Sequence, residues 1–168
     1  MRASSQSLAL LLFTLLLGAC GFHLRGQAVM PFSTLYVDAA NDKTPFIAEL
    51  RRNLDANKVK LVTTSAQADV VLKIVFENSS KQILTLSGSG RVTEFRLIYV
   101  VSLRAYDNEQ QDWIPAEEMA LRRDYSYDDT KILAKEAEET LLYQSMRSEM
   151  VQQIIRQLGR AKPQLPLQ

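Results

Sequence analysis

The chain has one cysteine and one histidine, Cys20 and His23, which lie three positions apart in the string LLLGACGFHLRG. Thiolate and imidazole both bind zinc, but a structural zinc site needs four ligands and the sequence has no second cysteine or histidine. A serine hydrolase would have to use His23, and no serine of the chain lies in a nucleophile-elbow motif. The pair therefore predicts neither a metal site nor a catalytic site.

Adjacent carboxylates occur twice, at Glu117–Glu118 and Asp128–Asp129. Neighbouring residues on a strand point to opposite faces, and carboxylates in a loop are usually just solvated. The string GSGR, which ends at Arg91, has the glycines of a phosphate-binding loop but lacks the Lys-Ser/Thr ending. We therefore expect a protein without enzymatic activity and without a cofactor.

The residues before Cys20 indicate why a single cysteine is present. Arg2 precedes an apolar run of ten residues, 8–17, which matches a signal peptide and is shorter than the roughly 20 residues that span a bilayer. The run ends in Leu17-Gly18-Ala19-Cys20, which resembles the bacterial lipobox. We predict a signal peptide at 1–19 and lipidation of Cys20. The alternative is ordinary secretion with a free thiol, which is a liability in an oxidising compartment.

Lipidation would anchor the protein firmly. One acyl chain gives only marginal membrane binding, whereas a lipobox cysteine carries three. In lipoproteins that resemble this one, an aspartate after the cysteine favours retention in the inner membrane, and this chain has Gly21 there. We therefore expect the outer membrane, with the domain facing the periplasm.

The chain without its leader is long enough for one domain with a sizeable core. Removing residues 1–19 leaves 19 basic and 19 acidic residues, so nothing suggests nucleic acid as a partner. The charges are uneven: residues 43–104 hold ten basic and five acidic residues, and residues 107–139 hold four and eleven. Such a distribution is usual for a solvated surface, and it can also mark a face for an anionic partner.

Hydrophobic periodicity predicts the elements of one domain, residues 20–159, followed by a disordered tail at 160–168. Thr44, Pro45 and Asn57 are typical of the ends of a helix. A second, long helix carries an apolar stripe from Leu133 through Ala137 and Leu141 to Leu158. Alternation predicts four strands, at 33–39, 68–77 with a polar extension toward Gly88, 92–106 and 116–127. The order β-α-β-β-β-α predicts an α+β two-layer sandwich, with two amphipathic helices on one face of a mostly antiparallel four-stranded sheet.

The predicted strand 92–106 has two different faces. Leu97 and Tyr99 belong to an apolar face that we expect in the core. The opposite face alternates arginines with aliphatic residues, which suits neither a core nor plain solvent. We expect this face to contact a partner, through Arg96, Ile98, Val100 and Arg104.

Four stretches of the sequence resemble the LptE family of lipopolysaccharide-assembly lipoproteins. They are CGFHLRG after the lipidation site, TEF at the start of the central strand, YSYDD at a strand end, and LAKEAEE at the start of the last helix. The resemblance covers nearly the whole chain from Cys20 to Leu158. It implies an α/β protein that plugs the LptD β-barrel and takes part in lipopolysaccharide binding and assembly at the outer membrane.

The resemblance also implies two lipopolysaccharide-binding residues. Lys135 matches the lysine that opens the last helix in the family. The family's other basic residue precedes the central strand; Gly88 occupies that position here, and the nearest arginine is Arg91. An alternative function is a structural lipoprotein of another envelope complex, such as the β-barrel assembly machinery, without glycolipid binding.

Overall fold

The structure is a computed structural model that describes residues 30–163. The predicted signal peptide, Cys20 and residues 164–168 lie outside the described residues. Ala161, which falls in the predicted tail, is buried against the core. The packed part of the chain therefore continues past the predicted boundary at residue 159.

The first helix forms where its cap residues predict it. Strand β1 (Thr34–Ala39) leads to helix α1 (Pro45–Ala56), whose N-cap Thr44 accepts a hydrogen bond from the Ile47 backbone through its side chain. Pro45 occupies the first turn, where a missing N–H costs nothing, and Asn57 caps the other end. One face of α1 is fully buried, which is the apolar stripe that the sequence shows, at Phe46, Ile47, Leu50 and Leu54.

The sheet has five strands and is mixed. After β1 come β2 (Lys60–Leu61), β3 (Val70–Leu86), β4 (Val92–Tyr106) and β5 (Asp112–Ser126), arranged in the order β2-β1-β3-β4-β5. β1 is parallel to both of its neighbours, whereas β3, β4 and β5 form the expected antiparallel meander. The predicted four strands were therefore wrong in number. β2 has only two residues, too few for a periodic pattern, and it exists because β1 offers it an edge.

The long strands also exceed their predicted limits. The segment 78–86, expected as a frayed extension, pairs with β4 through Leu86↔Val92. β5 begins four residues before its predicted start at 116. Turns at 87–91 and 107–111 connect the strands, and Gly90 has a φ of +78°, which glycine adopts without strain.

The last helix is only partly a core element. A 3₁₀ turn (Asp129–Lys131) precedes α2 (Ile132–Leu158), whose second half buries its stripe at Met146, Met150, Val151, Ile154, Ile155 and Leu158. In the first half, however, Leu133 is 82 % exposed and Leu141 is 64 % exposed. The predicted apolar stripe therefore extends beyond the core, because helical periodicity continues past the point where the helix leaves the core.

Both helices cover one face of the sheet, as predicted. Phe46 of α1 packs against Tyr99, and Glu139 of α2 accepts a hydrogen bond from Tyr125. Arg147 and Ser148 of α2 both bind Glu49 of α1, which joins the helices side by side. The other face of the sheet, which we call the open face, is covered by no helix of residues 30–163.

The sheet extends beyond its parallel part. β1 ends at Ala39, opposite Ile74, so from Val75 onward β3 pairs only with β4. We call residues 75–86, 92–101 and 119–126 the distal arm. Strand rise makes its β3 segment about 40 Å long. The first half of α2 lies along this arm.

Candidate ligand and partner surfaces

Arg91 lies at the far end of the distal arm, just after the β3–β4 turn. The turn is closed by hydrogen bonds from Ser87 N to Arg91 O (2.7 Å) and from Gly90 N to Ser87 O (2.9 Å). The Arg91 guanidinium is 3.4 Å from the Asp129 carboxylate, and its side chain is 71 % exposed. A rigid turn thus presents a cation that solvent, or a ligand, can reach.

Lys135 lies at the same end but is less available. Its Nζ is 2.8 Å from Glu138 Oε2 and 3.3 Å from Ser126 Oγ, and only 16 % of its side chain is exposed. A lysine near the start of a surface helix is expected to be exposed, and Lys135 is instead mostly covered. An ion pair of this kind within a helix contributes only about 0.3–0.5 kcal/mol, so Lys135 can exchange Glu138 for another anion at small cost.

The start of α2 has a mixed electrostatic field. Thr130 donates to the Asp128 carboxylate from its backbone N–H (3.0 Å) and from its hydroxyl (2.7 Å), and these bonds hold the Asp128 pKa below its usual value. Asp128 therefore stays ionised near Lys131 and Lys135, and the Asp129 carboxylate lies 3.4 Å from Arg91. An anionic ligand must bind the cations in competition with these carboxylates.

A partly exposed ion pair on the distal arm, between Lys81 and Glu139, escaped the sequence analysis. Glu139 of α2 accepts hydrogen bonds from Lys81 Nζ and Tyr125 OH, both at 2.7 Å. Burial raises the pKa of Glu139, but the bonds from Lys81 and Tyr125 outweigh it and lower the pKa overall. Burial and the same carboxylate raise the pKa of Tyr125. The group that ties α2 to the arm is therefore a carboxylate at neutral pH.

Aromatic rings surround this pair. The centroid of the Phe95 ring lies 5.9 Å from the ring centroid of Tyr125 and 5.0 Å from that of Tyr127. The Lys81 ammonium lies 4.8 Å from the centroid of the Phe95 ring. Tyr143 of α2 donates to the Ser80 carbonyl at 2.8 Å. The sequence could have indicated this contact between β3 and α2. Alternation along β3 places Lys81 opposite Leu97, on the helix-covered face. The contact of Lys81 with Glu139 was missed because residues 78–91 were expected to form a frayed extension of the strand.

Exposed apolar side chains accompany these cations. All the large hydrophobic residues that are exposed within residues 30–163 lie on β3 from Val75 onward or on the first half of α2. They are Val75, Phe76, Ile83, Leu84, Leu86, Ile132, Leu133 and Leu141. Basic groups next to apolar surface suit a ligand that is both anionic and amphipathic.

The four residues of β4 that the sequence predicts to face a partner lie together on the open face. Arg96, Ile98, Val100 and Arg104 are half-buried along one line of β4, whereas Leu97 and Tyr99 point toward the helices with 0 % and 5 % exposure. Eight residues separate the two arginines, about 27 Å of strand. The face thus has the composition and orientation that alternation predicted.

Both arginines of the open face are already paired. Arg96 donates two hydrogen bonds of 2.8 Å to Asp124, and this contact lowers the pKa of that carboxyl group. Arg104 pairs with Asp112 and lies 4.9 Å from the Tyr106 ring. A partner therefore meets ion pairs with little net charge, with aliphatic side chains between them.

Two kinds of feature are missing from the described part of the chain. Residues 30–163 contain no cluster of three or more histidine, cysteine or acidic residues that could hold a metal ion. No helix within the same residues is long and apolar enough to cross a membrane.

Solved structures share this fold. A lipoprotein B of Nitrosomonas europaea aligns with a TM-score of 0.71 and 36 % identity, over 83 % of this chain and 90 % of its own. The rare lipoprotein B of Shewanella oneidensis aligns with a TM-score of 0.68 and 25 % identity, over 76 % and 94 %. A minor lipoprotein of Acinetobacter baumannii, 22 % identical over 82 % and 99 %, has the same fold with a TM-score of 0.66.

Sequence comparison points to the same group. The chain is 28 % identical to the LPS-assembly lipoprotein LptE of Pectobacterium atrosepticum over 162 residues, covering 88 % of this chain and 84 % of that protein. It is 29 % identical to the protein of the same name in Yersinia pestis over 161 residues, covering 94 % and 77 %. The model of the LptE family, described as lipopolysaccharide-assembly, matches residues 32–158, which include all five strands and both helices. The chain belongs to the LptE lipopolysaccharide-assembly family.

Proposed function

We propose that this protein is a lipid-anchored, non-enzymatic subunit that fills the LptD β-barrel and receives lipopolysaccharide during its assembly at the outer membrane. Family membership supports the part in lipopolysaccharide assembly. The barrel partner, the anchor at Cys20 and the ligand contacts at Arg91 and Lys135 belong to the proposal.

The open face carries the argument for the barrel. A sheet face without a covering layer is usually apolar if it belongs in a core and charged if it belongs in water. Here Arg96–Asp124 and Arg104–Asp112 flank Ile98 and Val100. Paired charges with aliphatic side chains between them suit the polar interior of a large barrel, because they can be covered without leaving an isolated charge desolvated.

The distal end carries the argument for the ligand. Lipopolysaccharide combines phosphate groups with acyl chains, so a site for it needs cations next to apolar surface. Arg91 supplies an exposed cation, Lys135 a second one that a weak ion pair holds back, and Leu133 adjacent apolar surface. Arginine and lysine both form strong charge-assisted hydrogen bonds with phosphate.

Site-specific photocrosslinking in intact cells tests the barrel contact. A crosslinking amino acid at Ile98 or Val100 should capture LptD, because both side chains lie on the open face. The same residue at Leu97 or Val101, which are buried under the helices on the same strand, is the matched control and should capture little. Equal capture from both pairs, or capture of another protein at Ile98 and Val100, would contradict the proposal.

Depletion distinguishes the alternative, a subunit of another envelope complex. Under our proposal, cells that lack the protein accumulate lipopolysaccharide in the periplasm while unrelated barrels still assemble. A subunit of the barrel-assembly machinery would instead cause a general loss of outer-membrane barrels. The second outcome would overturn the assignment.

A further inference from the structure

A cleft opens at the end of the domain where β1 begins. It has a volume of about 390 Å³, which is within the range of sites that hold small ligands. β5 contributes Trp113 and Pro115 to its walls, and the segment after α2 contributes Arg160, Lys162 and Pro163. We call this site the terminal cleft. The family model matches only residues 32–158, so family membership assigns no role to the segment after α2.

The two cations of the terminal cleft are held by an ordered turn. The Arg160 N–H donates to the Gln157 carbonyl at 3.0 Å, and the Ala161 N–H donates to the Leu158 carbonyl at 3.2 Å. Ala161 is buried, whereas Arg160 and Lys162 on either side of it are exposed. The turn therefore fixes the backbone under both cations, which lowers the entropic cost of binding a ligand.

Neither cation binds a carboxylate of the domain. Within residues 30–163, the side chains of Arg160 and Lys162 make no ion pair and no hydrogen bond. Arg147 of α2 shows the usual alternative, since its guanidinium lies 3.0 Å from the Glu49 carboxylate. Both charges at the cleft are therefore available to a ligand.

The acidic residues near the cleft have other donors. Three of them, around the start of β5, accept hydrogen bonds within the molecule: Asp107 from the Trp113 indole N–H at 3.1 Å, Asp112 from Arg104, and Glu117 from the Gln157 amide. None of these carboxylates saturates Arg160 or Lys162. An anion from outside the domain can therefore bind the two cations.

The terminal cleft is close to the proposed lipid anchor. The Trp113 ring centroid lies 5.8 Å from that of Phe32, edge to face, so the chain enters the domain beside the cleft. Twelve residues connect Cys20 to Phe32, and a fully extended chain of that length reaches about 40 Å. Indole rings are also enriched at the membrane–water interface. An anchor at Cys20 therefore keeps the cleft within reach of membrane headgroups.

We propose that the terminal cleft binds the headgroup of an anionic phospholipid in the membrane that holds the anchor. Arg160 donates to the phosphate through its planar guanidinium, and Lys162 adds a second, compact positive charge. Trp113 and Pro115 pack against the glycerol part of the lipid. The bound headgroup fixes the orientation of the domain at the membrane, which an anchor at a single residue does not. This inference rests on the anchor at Cys20, which belongs to the proposed function.

The terminal cleft is a different site from the proposed lipopolysaccharide residues. Trp113 follows Asp112, which pairs with Tyr106. Tyr106 pairs in turn with Val71 at the start of β3. Arg91 follows the other end of β3, so strand rise separates it from the cleft by roughly 50 Å. One headgroup cannot bind at both places, and each site can be altered without the other.

Fluorescence of Trp113 tests the proposal, because the chain has no other tryptophan. The purified full-length lipoprotein is reconstituted in phosphatidylcholine vesicles that contain either phosphatidylglycerol or phosphatidylcholine with a nitroxide quencher near the headgroup. We expect the labelled phosphatidylglycerol to quench Trp113 more strongly than the labelled phosphatidylcholine. High salt should reduce the difference, since it screens exposed charges.

Removing the two charges tests the residues. Arg160→Gln combined with Lys162→Gln should weaken the preference for phosphatidylglycerol about fivefold for each charge, the usual contribution of a basic residue at an anionic surface. Lys43→Gln combined with Arg52→Gln is the matched control and should keep the preference. It removes a lysine and an arginine at α1 that are exposed and, within residues 30–163, make no ion pair.

Three results would overturn the proposal: equal quenching by the two labelled lipids, an unchanged preference in the Arg160 and Lys162 variant, or an equal loss in the control. A loss in Arg91→Asp combined with Lys135→Asp would also overturn it, because the labelled lipid would then be bound at the other end of the domain. Flotation with pure phosphatidylcholine vesicles reports the anchor separately. A chain that does not float lacks the anchor, and the same quenching measured with added vesicles still decides whether the headgroup binds.

Discussion

At the scale of single residues, the cations of the distal arm and the open face differ in how closely a carboxylate binds them. Arg96, Arg104 and Lys81 each bind a carboxylate at 2.8 Å or less, whereas Arg91 meets Asp129 only at 3.4 Å and is mostly exposed. Lys135 is intermediate, because its ion pair with Glu138 is short but lies at the surface of a helix. Among these five, Arg91 and Lys135 are the cations that a phosphate can recruit with the least loss of internal contacts.

We expect Arg91→Asp combined with Lys135→Asp to weaken lipopolysaccharide binding by the purified protein, on the order of tenfold at low salt and less at high salt. Glu138→Gln should strengthen binding, since it releases Lys135. Arg52→Asp makes the same charge change at an exposed site on α1 and should leave binding unaltered. Unchanged binding of the double variant would leave Lys135 as an ordinary partner of Glu138.

Asp69 makes a purely structural contribution. Its carboxylate accepts hydrogen bonds from the backbone N–H groups of Ser33 (2.9 Å) and Thr34 (2.8 Å), while its own N–H donates to Thr34 Oγ1 (2.8 Å). The backbone bonds from Thr34 and Ser33 lower the pKa of Asp69. They join the start of β1 to the start of β3.

We expect Asp69→Ala to destabilise the protein by about 1–2 kcal/mol, because two backbone donors lose their acceptor. The depressed pKa fixes the sign of the pH dependence: the stabilisation is complete above the ordinary pKa of aspartate and is lost as the pH falls through the lower, folded-state value. Urea unfolding at pH 7 and in acid measures both effects. Asp38→Ala removes only a 3.9 Å contact with Lys73 and should change stability by less than about 0.5 kcal/mol. If Asp69→Ala lowered the free energy of unfolding by the same amount at pH 7 and in acid, that result would contradict this account.

At the scale of elements, α2 has two halves that are held differently. Its second half is attached by fully buried residues such as Met150 and Ile154. Its first half is attached through Glu139 and Tyr143, which reach polar partners on the distal arm, while Leu133 and Leu141 face outward. The two halves should therefore open independently.

We expect Glu139→Gln to raise amide hydrogen exchange in residues 132–142, because it weakens the attachment to Lys81 and Tyr125, and to change global stability only slightly. Met150→Ala, in the buried half, should instead cost about 2–5 kcal/mol of global stability. Exchange measured by mass spectrometry, together with thermal melting, separates the two outcomes. Uniform exchange along α2 in the Glu139 variant would show that the helix opens as one unit.

The same contrast explains what the sequence could predict. Thr44, Pro45 and Asn57 act locally, so they locate α1 without any knowledge of its neighbours. Alternation likewise gave the limits of β4 and its two faces. β2, in contrast, depends on an edge supplied by β1, and the outward position of Leu133 depends on where the core ends. Helical spacing allowed Lys135 to pair with either Glu138 or Glu139. The spacing alone did not indicate which of these two ion pairs forms.

At the scale of the whole molecule, the chain is organised along one axis. β1 begins next to the start of β3, while the β3–β4 turn that carries Arg91 lies at the other end of that strand. Seventeen residues of β3 make the separation about 55 Å. A tether at Cys20 would attach to the end opposite the proposed ligand residues.

We expect Cys20→Ser to leave a folded protein that fractionates as soluble instead of with membranes, because the core of the described residues, 30–163, begins at Phe32. His23→Ser is the matched control: it alters the other half of the Cys20–His23 pair and should remain in the membrane fraction. Fractionation and metabolic labelling with palmitate measure the anchor. Loss of folding in the Cys20 variant would mean that the leader contributes to the domain.

The parallel pairing of β1 with β3 has a consequence for the order of folding. The meander β3-β4-β5 closes through turns of a few residues, whereas Leu35 meets Val70 only across the whole of α1 and β2. Short loops close at lower entropic cost, so the meander should form first and β1 should dock late. If the chain is secreted as its predicted signal peptide implies, β1 would leave the translocon before the other strands and would remain unpaired until β3 forms. Until it docks, Leu35 and Val37 stay in water beside the uncovered edge of β3, and periplasmic chaperones would bind there.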